Sequence, residues 1–320
     1  MNIVVKLLAS LLFVLGGLCH AAYPDKPIKL IIGFPPGGPL DTHARLLTDQ
    51  LQKILGQPVV IDYKPGAGGT IGASFVSGSP ADGYTLLMAN TGTMVINPHV
   101  YTKNPYDTLR DFTPIARTAQ QPLAMVVNNE VPAKTLLEFI DHARKQPGKV
   151  NYGSAGNGGI SHLVPAMLED ATGIQMTHIP YKGTAPAFTD LVAGQVQFMA
   201  ESIPQVAQYV KAGKVRALAM TGKERNAAIP DVPTMAEIGI RNFEVVGFYG
   251  VLAPANLPKE VTAKLSNAFK AVLTSDDVRS RMTTQGADPA FLDAAAFAAF
   301  LKTENARWQA AVRKANVKLD

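Results

Sequence analysis

Phe34-Pro35-Pro36-Gly37-Gly38-Pro39-Leu40-Asp41 and, more than a hundred residues later, Tyr152-Gly153-Ser154-Ala155-Gly156-Asn157-Gly158-Gly159-Ile160-Ser161-His162 are two glycine-rich turns of one design. Each follows a strand-like apolar run and opens a helical pattern, so each can aim bare backbone N–H groups at an anion. Two such half-sites on one chain suit the clamping of a single small acid.

Around the first turn, residues 28–34 read as a buried strand, 40–55 as an amphipathic helix stopped by Gly56, and 59–63 as a second strand. A short helix over 70–77 and a strand over 85–90 follow. Residues 123–128 read as a strand, 136–145 as a helix and 150–153 as the strand entering the second turn. Helices at 163–172, 185–193 and 205–212 then alternate with strands at 177–180, 197–200 and 216–221. Another strand covers 243–253, and the tail from Lys259 is helical with breaks near Ser275 and Gly286. Strict alternation of this kind predicts a mainly parallel α/β architecture.

The chain opens with Lys6, an apolar stretch over 7–18 and then Cys19-His20-Ala21-Ala22, the pattern of a secretory signal peptide cleaved after Ala21 or Ala22. A signal anchor is the alternative for this segment. Lipidation at Cys19 is disfavoured by the bulky Leu18 before it. The single cysteine of the chain would leave with this leader, so the mature protein is expected to hold no thiol nucleophile, thiolate metal site or disulfide. With 47% hydrophobic residues in 320, a packed core can carry the fold, and the length suggests two domains. Net charge is +5, or +4 once residues 1–22 with their one lysine are gone. The basic residues are dispersed, which argues against a nucleic-acid partner.

Other chemistries lack their signatures. Gly66, Gly68, Gly69 and Gly72 follow a strand, but Ile71 stands where a dinucleotide fingerprint needs its third glycine. A tight turn and a ligand-facing loop remain the two readings of that stretch. Ser154 is one residue short of a nucleophile elbow, with no ordered histidine and acid to serve it. His43, His99, His142, His162 and His178 show no metal-ligand spacing, and each alone reads as a surface or turn histidine. No cofactor and no metal are expected. Asp41, at the head of the first helix, serves either as a helix cap or as a counter-charge for a ligand amine.

Several motifs in fixed order carry a resemblance. Tyr23-Pro-Asp-Lys-Pro-Ile, Gly37-Gly38 with Asp41 and Ala44-Arg45, Leu55-Gly56-Gln57-Pro58-Val59-Val60, Pro65-Gly-Ala-Gly-Gly-Thr-Ile-Gly72, Asp82-Gly-Tyr-Thr-Leu-Leu87 and Tyr181-Lys182-Gly183 with Asp190-Leu191 and Gly194-Gln195-Val196 together resemble the Bug family. These are TctC-like extracytoplasmic solute receptors of tripartite tricarboxylate transporters, and the likeness spans essentially the whole mature chain. It implies a type II periplasmic-binding-protein fold of class α/β, with a ligand cleft between two lobes. The family's ligand set, transferred by motif, gives Pro36, Gly37, Gly38, Asp41, Asn90 and Thr91 from one lobe. Ala155, Gly156, Gly159, Ser161, Tyr181 and Gly183 come from the other. The sequence departs from the family pattern at Tyr63, where Asn is common, and at Glu201, where Asp is common in the corresponding segment. Glu201 could select an amine or disfavour a second carboxylate, or be a solvated loop acid.

The expectation is therefore a signal peptide at 1–22, a first domain of 23–124 plus 222–320, and a second of 125–221. The protein is expected to be a periplasmic, monomeric, non-catalytic receptor that captures a small organic acid or amino acid for a membrane permease pair. A secreted α/β hydrolase or lyase acting on a small organic acid is the alternative.

Overall fold

The computed structural model describes residues 23–284 and 287–319; the expected leader at 1–22 lies outside them. Strand β1 (Ile28–Ile32) has Ile28, Leu30, Ile31 and Ile32 fully buried, as a strand covered on both faces requires. Helix α1 (Pro39–Leu55) starts with proline at its first position, where a missing N–H costs nothing, and ends at Gly56 in the left-handed region. Its Leu40, Ala44, Leu47, Leu51 and Leu55 recur at helical spacing and are buried. Strand β2 (Val59–Tyr63), helix α2 (Thr70–Ser77) and strand β3 (Thr85–Asn90) complete a parallel unit in which β1 lies between β2 and β3.

The turn at 64–69 is a close-packing device. A Cβ on Gly33 would lie 2.6 Å from the Gly69 Cα, and one on Gly72 would lie 2.8 Å from the Gly33 Cα. The glycines thus let the turn, α2 and the end of β1 touch backbone to backbone.

A π-helical turn (Gly92–Ile96) and the short helix α3 (Asn97–Val100) lead into strand β4 (Phe112–Asn128). At 17 residues β4 is far longer than the 123–128 strand expected. Pro114, Pro122 and the polar Arg117, Gln120 and Gln121 break its apolar pattern, and the structure absorbs them with two register shifts against its neighbour. Then follow α4 (Leu136–Arg144), β5 (Asn151–Ser154), α5 (Ile160–Thr172), β6 (Thr177–Pro180) and α6 (Thr184–Val192). β7 (Phe198–Ser202), α7 (Ile203–Lys211), β8 (Val215–Met220) and β9 (Val246–Pro254) come next. The tail holds α8 (Lys259–Thr274), α9 (Asp276–Thr284), β10 (Asp288–Leu292) and α10 (Ala294–Lys314). β10 is a strand where the sequence reads as broken helix, and it pairs antiparallel with β4.

The strand order is β2-β1-β3-β9-β4-β7-β5-β6, with β8 and β10 also paired to β4. The first part of β4 pairs antiparallel with β9 and β10, and its last residues pair antiparallel with β7 and β8, so this one strand joins two parallel flanks into a mixed sheet, not the mainly parallel one that the alternation predicts. One apolar cluster packs α1 and α8 on β1 and β9, and another packs α6 and α7 on the end of β4. Ala228, Ile229 and Val232 join that second cluster, although they follow β8 in sequence. A third cluster runs from α4 and α5 across to α10. Among the described residues, no helix is long and apolar enough to cross a membrane.

Candidate functional site

Both glycine-rich turns leave the carboxyl end of a parallel strand and enter a helix, the place where open α/β sheets bind ligands. Gly38 caps α1 at φ −78°, ψ 172°, and Gly159 caps α5 at φ −76°, ψ 169°. The two half-sites therefore share one backbone geometry. Neither glycine caps with a side chain, so the first-turn amides of Leu40 and Asp41, and of Ile160 and Ser161, lack helical partners by construction. Sequence patterns singled out the glycines but passed over the Leu40 and Ile160 amides, whose signal is the helix start itself. The second turn and the end of β3 approach each other at β9. A Cβ on Gly247 would lie 3.4 Å from Ile160 Cδ1 and 3.5 Å from Thr91 Oγ1.

Most of the polar side chains expected here hold the loops in shape. Asp41 is 3% exposed, accepts the Gly37 N–H at 2.8 Å and Tyr63 OH at 2.7 Å, and pairs with Arg45 at 3.0 Å. Burial pushes its pKa up, yet these donors together hold the carboxyl below the usual range. Asp41 is thus fully engaged within the protein, and the Gly37 amide is spent on it. Pro36 lies exposed beside it. Tyr63 supplies one of the donors to Asp41. Asn90 Oδ1 accepts the Thr93 N–H at 2.9 Å, and Thr91 Oγ1 accepts the Phe248 N–H at 2.7 Å.

The second turn is similarly self-supporting. Ser161 Oγ accepts the Ala155 N–H at 3.1 Å, and Ser154 Oγ accepts the Gly156 N–H at 3.2 Å. The Gly183 N–H donates to the Ala155 carbonyl at 3.1 Å, and Tyr181 OH donates to Asp190 at 2.7 Å. What remains for a ligand is the main chain at the two helix starts, flanked by small residues.

Two expectations about histidine are corrected. His43 is 4% exposed, packs its ring 5.1 Å from Tyr249 and bonds Thr118 Oγ1 at 2.9 Å; burial lowers its pKa to about 3. His162 and His178 are half-buried against each other beneath the second turn, and burial lowers each to about 4. His178 Nε2 also lies 2.6 Å from Ser154 Oγ, a contact that superficially resembles a catalytic dyad. Ser154 is fully buried, however, and its hydroxyl donates to the Gly156 carbonyl at 3.0 Å. Tied to the Gly156 carbonyl and N–H as well as to His178, and with no exposed surface, Ser154 is part of the turn's framework and offers no face to a substrate.

Glu201 is no solvated acid either. It is 7% exposed near the end of β7, with Oε1 accepting the Ser202 N–H at 2.8 Å and Oε2 accepting Thr184 Oγ1 at 3.2 Å. Burial pushes its pKa up. Among the described residues, no group of three or more histidines and acids could hold a metal ion.

A model of the tripartite tricarboxylate transporter family receptor matches residues 43–317. The chain belongs to that family. Protein BugT of Bordetella pertussis is 35% identical over 298 residues, covering 93% of this chain and 91% of that protein. A solved structure described as R. palustris Rpa4515 with adipate is 32% identical and superimposes with a TM-score of 0.85 over 92% of this chain and 99% of that one. The periplasmic binding protein BugD is 35% identical, with a TM-score of 0.81 over 92% and 99%. The receptor thus has the α/β periplasmic-binding-protein fold that the sequence resemblance implies.

Proposed function

We propose that this receptor captures a small carboxylate between two lobes, one of residues 23–124 plus 222–320 and one of 125–221, and presents it to a membrane permease pair. The observation that carries the reading is the matched pair of helix starts, Gly38 and Gly159, each opening free first-turn amides at the carboxyl end of a parallel strand. Amides so aligned, with the helix dipole behind them, favour an anion and need no lysine or arginine. The bound adipate of Rpa4515 supports a carboxylate as the ligand class. Capture on this reading takes place in the periplasm, by a monomer, with no cofactor.

Contacts from two lobes to one ligand favour the closed arrangement by their differential affinity, which supplies the shape that a permease can read. The full burial of Ser154 speaks against the hydrolase alternative.

Mass spectrometry of the solute released on denaturing the purified protein tests the proposal, together with small-angle scattering before and after that solute is restored. A released carboxylate and a smaller radius of gyration on rebinding are expected. Conversion of the acid to a product, or an unchanged radius at saturation, would count against it.

A further inference from the structure

Glu201 is a buried carboxyl for which, among the described residues, no cationic partner is present. Its two oxygens accept only from its own neighbour, Ser202, and from Thr184. Its position is not that of a core residue. β7 runs parallel to β5, so Glu201 emerges at the same sheet edge as the Ala155–Ser161 turn. Thr184 is the first residue of α6, directly after the Tyr181-Lys182-Gly183 turn. From the other half of the sheet, Tyr249 on β9 lies near enough to feel the Glu201 charge. The carboxyl therefore sits where the edge of the second glycine-rich turn, the start of α6 and β9 come together.

Burying a carboxylate without a counter-ion is costly, and a hydrophobic or amide residue of that size would serve packing better. The cost is recovered if a ligand brings the missing positive charge. We propose that Glu201 is a specificity-determining residue that binds the ammonium group of the captured solute, so that the ligand class is amino acids rather than amine-free carboxylic acids. The inference rests on the receptor reading above. The solute carboxylate lies on the helix-start amides, and its ammonium group is held by Glu201 with Thr184 and Ser202 orienting the acceptor oxygens. A second ligand carboxylate in that place would meet like charge.

Calorimetry on the full mature protein at pH 7 decides the matter, using matched probes: aspartate and succinate, glutamate and glutarate, phenylalanine and 3-phenylpropionate, alanine and propionate. The wild type should bind at least one amino acid and prefer it over its amine-free partner by about tenfold or more, as a charged hydrogen bond would give. Glu201→Gln should lose about ten- to hundredfold toward that amino acid and gain toward the amine-free acid, reversing the preference. The wild-type preference is read without any variant, so a misfolded Glu201→Gln would not rescue or sink the idea. If the wild type binds amine-free acids in preference to amino acids, the inference fails while the receptor reading stands. Binding of no probe, with no acid released on denaturation, overturns both.

Discussion

His162 and His178 stack ring on ring beneath the second glycine-rich turn, with centroids 3.7 Å apart and planes 9° from parallel. Each ring also holds the turn: His162 Nδ1 accepts the Gly158 N–H at 3.0 Å, and His178 Nε2 meets Ser154 Oγ at 2.6 Å. Tyr152 continues the stack, 4.9 Å from His178, because β5 and β6 pair it directly opposite that residue. Acceptance at Nδ1 requires a neutral His162, and two stacked cations would repel, so the turn depends on both rings being uncharged.

That dependence has a pH signature. An unfolded histidine titrates near 6.5, whereas both rings in the fold titrate near 4. Between those values the unfolded chain binds protons that the native state refuses, so stability falls as pH falls through that window, by up to about 1.4 kcal/mol per pH unit for each ring. Glu169, Glu201 and Asp288, whose carboxyls burial pushes upward, act in the opposite sense. A difference measurement isolates the histidines. His162→Asn can still accept the Gly158 N–H but does not titrate, and urea unfolding at pH 7 and pH 5 should show it losing about 1 kcal/mol less than the wild type. Equal losses would mean that His162 is not held neutral.

Gly158 should be the least replaceable residue of that turn. Its φ is +73°, and a Cβ would lie 2.6 Å from Val100 Cγ1 on α3 and 3.3 Å from Leu319 Cδ1. Gly158→Ala therefore carries about 1 kcal/mol of left-handed backbone strain and displaces the turn from α3. Thermal unfolding should show a clear fall in Tm. Adding Val100→Ala makes room for the methyl, so the double variant should lose less than the sum of the singles by about 0.5 kcal/mol or more. Simple additivity would show that the close approach does not govern the turn.

The first parallel unit was legible in the sequence because β1, α1, β2 and β3 carry their own periodicity and end at glycines or prolines. The first part of β4 was not, since Pro114, Pro122 and a run of polar residues hide a strand whose stability comes from pairing with β9 and β10, far away in sequence. The site divides the same way. Glycine spacing located both turns, but no local pattern could place His178 against His162 or bury Glu201. Those contacts follow from the parallel register of β5, β6 and β7. Asp41 reads in the sequence as a cap or a counter-charge, but Gly38 holds the cap position, and the Gly37, Arg45 and Tyr63 bonds that define the role of Asp41 needed the fold.

Trp308 offers an optical control for ligand binding. It is 1% exposed on α10, donates from Nε1 to Glu304 at 3.0 Å, and shares its cluster with Phe297, Leu301 and Val312. Phe297 and Phe300 pack on Phe248 of β9, so the helix lies on the sheet with the indole turned into this apolar cluster. Ligand titration should leave Trp308 emission nearly unchanged. A large quench that disappears in Trp308→Phe would place the indole beside the ligand and refute this placement.

What grips the ligand can be tested at the two matched caps. Positive φ is confined to their neighbours Gly37, Gly156 and Gly158, while Gly38 and Gly159 are extended, a conformation any residue adopts. A Cβ would approach nothing closer than 3.7 Å at Gly38 and 3.8 Å at Gly159. Gly38→Val and Gly159→Val should therefore fold normally, with the new side chain standing over the first-turn amides where the anion belongs. Each charged hydrogen bond lost contributes about 1.5 to 3 kcal/mol, so binding of the solute released from the native protein should weaken by about a hundredfold or more. Lys182, exposed on the Tyr181–Gly183 turn, should matter less, and Lys182→Met should keep most of the affinity. Calorimetry on the three variants, after circular dichroism confirms folding, separates the models. Near-native binding by both valine variants alongside complete loss in Lys182→Met would replace the main-chain grip with a side-chain salt bridge.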